Sequence, residues 1–247
     1  MTCIKAVILS AGVGSRIRPL TDDRPKTLLT IGGIPILERM LTNIRASGID
    51  EIVIVVGYLH EQIQTFVRNK FPELDIRFVI NNRYRETNTG YSLMIAEELI
   101  SGFPFVKFDG DVVFELEVLQ RLLDSDKANC LSIDRNIALD SEEVKVILTG
   151  DSRILRVSKT IAPASAIGES IGIEKIDAET GNLLFAELRT MMRSDNNLRQ
   201  YYEGAYERLI ANDIDFHAVD ITALNWTEID TRQDYDTAER IFGNSDK

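Results

Sequence analysis

Ile4-Lys5-Ala6-Val7-Ile8-Leu9 runs directly into Ser10-Ala11-Gly12-Val13-Gly14-Ser15-Arg16, and Arg24-Pro25-Lys26 closes the stretch. An apolar run of this length, bounded by glycines, predicts a fully buried strand. The loop after it has almost no side-chain bulk. Gly12 and Gly14 let backbone N–H groups approach and converge on an anion, as loops that cradle phosphates require. Arg16 and Lys26 supply a cation on either flank. A glycine pair is also ordinary turn chemistry after a strand, so the loop alone leaves both readings open. Two familiar phosphate loops fail at the residue level. The dinucleotide fingerprint needs a third glycine where Ile17 stands, and the P-loop needs Gly-Lys-Ser/Thr where Ser15-Arg16-Ile17 stands.

At 247 residues the chain is long enough for one α/β domain, 1–247, with a large buried core. A net charge of -11 argues against nucleic acid or an anionic membrane as partner, because those surfaces repel an acidic protein. Any phosphate-bearing substrate must then meet a local basic loop. Cys3 and Cys130 sit in apolar settings and predict core thiols in a reducing compartment, not a disulfide framework or zinc site. The first residues lack a secretory pattern and no run suits membrane insertion, so a cytoplasmic location is expected.

Ile36, Leu37, Met40, Leu41 and Ile44 recur at helical spacing and Gly48 ends that helix. Glu51 to Val56 then predicts a second buried strand, completing a β-α-β unit with a parallel sheet. A helix from Glu61 to Lys70 and a strand from Ile76 to Ile80 repeat the unit. A helix from Tyr91 to about Ile100 and a strand from Phe103 to Phe108 follow, leading into Asp109-Gly110-Asp111. Short runs at Asn129–Ile133, Val144–Thr149, Ile154–Ser158 and Ile171–Ile176, with turns at Gly150-Asp151 and Gly168, predict strands, some antiparallel, that extend the sheet over the site. Helices are expected at Ala178–Met192 and Leu198–Ala211, a strand at Phe216–Ile221, a last helix carrying Tyr235, Ala238 and Ile241, and a frayed tail from Gly243. The fold class is α/β: a Rossmann-like wound mixed sheet flanked by helices, with ligands at the loops that follow its strands.

Asp109 and Asp111, separated by glycine, point to one side if extended geometry continues. Mg²⁺ suits such a pair, since it takes few carboxylates and fills its shell with water and phosphate oxygens. A solvated turn at a strand end is the competing reading. Asp230, before a helix starting near Thr231, is equally a good helix N-cap.

Leu9 to Arg16, then Pro19-Leu20-Thr21 and Pro25-Lys26, resembles the signature of the nucleotidyltransferases that make sugar nucleotides and CDP-alcohols. Ser10 departs from the usual alanine, a small-for-small change. The resemblance implies that Leu9, Ala11, Gly12, Gly14 and Ser15 wrap an NTP triphosphate, that Arg16 holds its phosphates, and that Lys26 meets the α-phosphate. It implies Mg²⁺ on Asp111, which matches the family position better than Asp109, and on Asp230 within Trp226-Thr227-Glu228-Ile229-Asp230. Ile154 to Thr160 resembles the strand that delivers a second lysine, here Lys159, to the acceptor phosphate; Ser158 and Thr160 replace the usual flanking glutamate and proline.

Thr87-Asn88-Thr89-Gly90-Tyr91-Ser92-Leu93 resembles the asparagine-rich segment of the phosphocholine and phosphonate cytidylyltransferases. Base contacts then fall to Asn88, Thr89, Gly90 and Ser92, and CTP is the expected nucleotide. Acceptor contacts fall to Glu169, Tyr91 and Trp226, with Tyr84, Tyr201, Tyr202 and Tyr206 as possible members of an aromatic cage. The expected acceptor is a small phosphorylated or phosphonate compound of the phosphocholine kind; a homo-oligomer is compatible with the sequence. The alternatives are a sugar-1-phosphate uridylyl- or thymidylyltransferase and a non-catalytic nucleotide sensor on the same scaffold.

Overall fold

The computed structural model describes residues 3–193 and 197–243. The chain begins with β1 (Lys5–Ser10), the small hairpin β2 (Thr30–Ile31) and β3 (Ile34–Pro35), α1 (Ile36–Ala46), β4 (Glu51–Val56), α2 (His60–Lys70) and β5 (Asp75–Ile80). Next come α3 (Thr89–Met94), α4 (Glu97–Ile100), β6 (Phe105–Asp109), β7 (Val112–Phe114) and α5 (Leu116–Asp124). Then follow β8 (Cys130–Asp134), β9 (Lys145–Leu148), β10 (Ile154–Ser158), β11 (Gly168–Ile176) and α6 (Ala178–Met191). The chain closes with α7 (Glu203–Ala211), β12 (His217–Asp220), β13 (Trp226–Glu228) and α8 (Arg232–Phe242). Among the described residues no helix is long and apolar enough to cross a membrane.

The main sheet runs β10-β9-β11-β6-β1-β4-β5, with β8 joined to β11 and β12 to β8. β6, β1, β4 and β5 are parallel, whereas β11 runs antiparallel to β6, β8 and β9. Every residue of β1 is buried, because helices cover both faces. Alternation divides its side chains: Val7 and Leu9 join the core beneath α6 and α7, while Ala6 and Ile8 join the core beneath α1, α2 and α5. The stripe Ile36, Leu37, Met40, Leu41 and Ile44 is buried along α1. After β1 the chain winds outward through β4 and β5, then returns to lay β6 on the other side of β1. That reversal opens a crevice at the carboxyl ends of β1 and β6, where open α/β sheets bind ligands.

Several local expectations are corrected. The helix expected from Tyr91 to Ile100 is two helices, because hydrogen bonding tightens at the junction: Ala96 N–H donates to Leu93 O at 3.1 Å and Leu99 N–H to Ala96 O. The helix expected from Leu198 starts only at Glu203. The carbonyls of Leu198 and Gln200 instead accept the N–H groups of Asn88 and Gly90, at 3.0 and 3.2 Å. The strand expected from Phe103 starts at Phe105, and Gly168 opens β11 where a turn was expected. Cys3 is exposed, not a core thiol; only Cys130 is buried. α5 was missed although Val118, Leu119 and Leu122 form its buried stripe. The expected frayed tail lies, from residue 244, outside the described residues.

Candidate active site

A cavity of about 300 Å³ opens at the β1–β6 crevice. Leu9, Ala11, Gly12, Gly14 and Ser15 line it. Gly14 has a φ of 65°, a left-handed conformation natural to glycine. Its carbonyl accepts from Thr21 Oγ1 at 2.7 Å, so the loop shape is pinned from below. Gly110 serves the same crevice by absence of bulk. A Cβ there would stand 2.6 Å from the Leu9 carbonyl oxygen and closer still to Ser10 Oγ.

Lys26, nearly buried, donates to Asp111 Oδ2 at 2.7 Å and to Asp230 Oδ1 at 2.5 Å. Burial alone would push its ammonium down, but Asp111 and Asp230 outweigh burial and hold it well above the ordinary lysine range. Arg16 reaches Asp230 Oδ2 at 2.5 Å and, from its other nitrogen, Glu142 Oε2 at 3.1 Å. Burial opposes ionisation of Asp230, yet Lys26 and Arg16 keep its carboxyl below the usual range.

Strand pairing makes this meeting possible. β7 leaves the Asp109-Gly110-Asp111 turn and pairs antiparallel with β13, matching Val112 to Glu228, and Ile229 N–H donates to Asp111 O at 3.1 Å. The helix cap falls one residue past Asp230, on Thr231, whose capping box with Asp234 leaves the Asp230 carboxylate to the cavity. The two aspartates of the turn do not point together, because β6 ends at Asp109. Asp111 turns to Lys26, whereas Asp109 turns to Lys107 at 3.1 Å and accepts from Tyr202 OH at 2.7 Å.

Asp111, Glu228 and Asp230 each present an oxygen within 4.8 Å of the others. Glu228 stands at the open edge of the cavity but is crowded by protein on its inner side. That desolvation, with Asp111 and Asp230 close by, raises its carboxyl well above the usual range. Three carboxylates beside a phosphate-sized loop fit a hard divalent cation, which takes oxygen ligands and keeps places for water and substrate phosphate. Glu228 was not singled out from the sequence; it is the last residue of β13, and the chain leaves that strand to bring Asp230, two residues on, to the same cluster.

Asn88, Thr89 and Ser92 line the opposite wall. Asn88 caps α3 by accepting from Thr89 N–H at 2.9 Å. Beneath them lies Asn81, only 1% exposed, which sequence reading did not single out. Its amide donates to Thr87 Oγ1 at 2.9 Å and Ser92 Oγ at 3.1 Å, and its carbonyl accepts from Arg83 N–H. Gly90 and Tyr91 do not line the cavity. Gly90 is buried against the Gln200 carbonyl, and Tyr91 packs on the core under α6 and α7.

Lys159, just past β10, and Glu169, on β11, line the remaining side. Burial, with Glu143 and Asp134 near, pushes the Glu169 carboxyl up to about 8. Trp226 lies away from the cavity: β13 pairs it with Phe114, and its indole N–H donates to Asp134 at 2.8 Å. Of the four tyrosines considered for a cage, Tyr84, Tyr201 and Tyr202 reach the wall, whereas Tyr206 is buried behind it in the core.

Residues 5–134 match the family model for nucleotidyl transferases. The chain is 27% identical over 242 residues to choline-phosphate cytidylyltransferase of Streptococcus pneumoniae, covering 98% of this chain and 99% of that protein. It is also 27% identical over 251 residues to CTP:phosphoglutamine cytidylyltransferase of Campylobacter jejuni, covering 94% and 97%. The solved inositol-1-phosphate CTP transferase of T. maritima superposes with a TM-score of 0.81 at 19% identity, over 97% and 96% of the two chains, a likeness of fold. A glycine loop backed by Lys26 and Arg16, at the switch point of this sheet and within the matched span, agrees with these similarities: the chain belongs to the nucleotidyl transferase family.

Proposed function

We propose that this nucleotidyltransferase uses Mg²⁺ to transfer CMP from CTP to a small phosphorylated or phosphonate acceptor and that residues 1–247 act as one domain. The observation that carries the reading is the convergence of Lys26 and Arg16 on Asp111 and Asp230 beside the glycine loop. The choice of CTP is supported by similarity to the two cytidylyltransferases over nearly the whole chain. The cytoplasm, where nucleoside triphosphates are held, is the proposed compartment.

In this reaction an acceptor phosphate oxygen attacks the α-phosphorus, the bond to the β-phosphate oxygen breaks, and pyrophosphate leaves with that electron pair. The acceptor phosphate has a second pKa of ~6 and is largely ionised near neutrality, so no general base is needed. Gly12 and Gly14 let the loop backbone approach the triphosphate, and Arg16 exchanges Glu142 for phosphate oxygens. Lys26, released from one carboxylate, turns its ammonium to the α-phosphoryl oxygens as they gather charge. Asp111, Glu228 and Asp230 would hold Mg²⁺, which supplies charge neutralisation and orientation at the phosphates. Lys159 and Glu169 take the acceptor, Lys159 at its phosphate. Asn88, Thr89 and Ser92, set by Asn81, read the pyrimidine edge.

Pyrophosphate release from CTP, UTP and dTTP, each against a panel of phosphorylated acceptors with and without Mg²⁺, tests the proposal. Turnover is expected with CTP and Mg²⁺. Equal or faster turnover with UTP or dTTP on the best acceptor would replace the cytidylyl assignment with the sugar-nucleotide alternative.

A further inference from the structure

Tyr84, Tyr201 and Tyr202 are the aromatic side chains on the cavity wall among the described residues. Each already holds a cation of the protein over its ring. Arg85 lies 5.4 Å from the Tyr84 ring centre, Lys159 5.1 Å from that of Tyr201, and Lys107 3.7 Å from that of Tyr202. A quaternary ammonium has no N–H and relies on aromatic faces for its recognition. On this wall it would compete with Arg85, Lys159 and Lys107 for them.

The floor of the same cavity has a different chemistry. Asp109 Oδ1 and Glu203 Oε2 are buried oxygens with no hydrogen-bond partner among the described residues, and both residues line the cavity. Glu203 is only 9% exposed. Asp109 spends its other oxygen on Tyr202 OH and Lys107, and Lys107 in turn also serves Glu174 at 2.8 Å and the Gly172 carbonyl. Lys107 thus stands against three acidic groups, Asp109, Glu174 and Glu203. Burial raises the Glu203 carboxyl to about 7, and Asp109 is the strongest like charge acting on it. A buried carboxylate oxygen left without a donor is costly, and a ligand bringing both positive charge and N–H bonds removes that cost. Lys159 lies on the wall of the same cavity and acts on Glu203 through its charge.

We propose that Glu203, with Asp109 beside it, forms a subsite for a protonated amine that retains its N–H bonds. The acceptor is then an aminoalkyl phosphate or phosphonate, with its phosphate on Lys159 and its ammonium on the carboxylate floor. It is neither a quaternary ammonium nor a neutral polyol. The inference rests on the transfer reaction proposed above and names the acceptor class for it.

The test is a graded acceptor series with CTP and Mg²⁺: 2-aminoethyl phosphate, 3-aminopropyl phosphate, the N-methyl and N,N-dimethyl forms of the former, choline phosphate and propyl phosphate. The better of the two primary amines should have the highest kcat/KM. A fall of about tenfold or more is expected on reaching choline phosphate or propyl phosphate, the size of one charged hydrogen bond. Glu203→Gln should raise the KM for that amine by about tenfold, leave the CTP KM in place, and narrow the gap between the amine and choline phosphate. Choline phosphate or propyl phosphate used as well as the amines would overturn the inference while leaving CMP transfer intact. An unchanged amine KM in folded E203Q would overturn the assignment to Glu203. The series on the unaltered chain decides the acceptor class even if E203Q does not fold. CMP transfer to none of these acceptors, nor to sugar phosphates, would instead remove the transfer reaction, and the inference with it.

Discussion

Lys26 Nζ stands 2.5 Å from Asp230 Oδ1, which ties the segment after the glycine loop to the strand end before the last helix. The same ammonium touches Asp111 at 2.7 Å, so one lysine bridges two carboxylates and offsets their mutual repulsion in a crowded cavity. In the proposed reaction Asp111 and Asp230 would hold the divalent ion, and Lys26, no longer their sole shared partner, would be free to face the reacting phosphoryl group.

For Lys26→Ala the expected loss is in kcat. A cation on the α-phosphate gains most when its oxygens gather charge in the transition state. By analogy with loss of one oxyanion-hole donor, the cost is ~3 kcal/mol, on the order of 10²–10³ in rate. Arg16, whose side chain is 55% exposed, should behave differently. Arg16→Ala is expected to show a large part of its effect as a raised NTP KM, the mark of binding energy shared by ground and transition states. Single-turnover rates on both variants separate chemistry from product release. An unchanged single-turnover rate in K26A, with only KM raised, would reduce Lys26 to an electrostatic anchor.

Thr231 and Asp230 are neighbours with separable roles. Thr231→Ala breaks the capping box with Asp234 and should cost ~1 kcal/mol of stability while the rate at saturating Mg²⁺ holds. Asp230→Ala should abolish Mg²⁺-dependent turnover without a comparable loss of melting temperature. Thermal melts paired with rate measurements check both; the opposite pattern would return Asp230 to a structural role.

Asn81→Leu replaces a buried amide by an apolar group of similar size. It leaves Thr87 Oγ1 and Ser92 Oγ without their donor, and Arg83 N–H without its side-chain acceptor. A stability loss of ~1–3 kcal/mol is expected. Since those hydroxyls flank Asn88 and Thr89, the CTP KM should rise more than the acceptor KM. Chemical denaturation and separate saturation curves give the two readouts, and an unmoved CTP KM would dissociate Asn81 from nucleotide binding.

Glu169 predicts a pH-dependent stability. Its folded carboxyl is raised to about 8 by burial and by Glu143 and Asp134, while an unfolded glutamate titrates near ~4.3. Between those values the folded chain holds a proton that the unfolded chain has released. Stability therefore falls as pH rises across that window, by up to ~1.4 kcal/mol per pH unit for this group. Glu169→Gln removes the titration. Its melting temperature relative to the unaltered chain should climb steadily between about pH 5 and about pH 8; a pH-independent difference would contradict the raised carboxyl.

Much of this protein is written locally. Ile4 to Leu9 is apolar enough to demand burial on both faces, Gly12 and Gly14 permit a loop open to an anion, and the 3.6-residue stripe of α1 needs a sheet to cover. Each of those signals is carried by a few neighbouring residues, so the parallel sheet and the place of its ligand loops follow from the chain alone. Why no helix starts at Leu198 was decided by tertiary contact: the carbonyls of Leu198 and Gln200 are taken by the N–H groups of Asn88 and Gly90, bonds between segments that no local periodicity encodes. The same is true of the carboxylate cluster. Asp111, Glu228 and Asp230 converge because β7 pairs with β13, and that pairing also turns Trp226 toward Asp134 and away from the cavity. Glu203 and Asn81 become candidates only when burial is known, since a glutamate at a helix start and an asparagine after a strand look like surface residues until tertiary packing removes water from them.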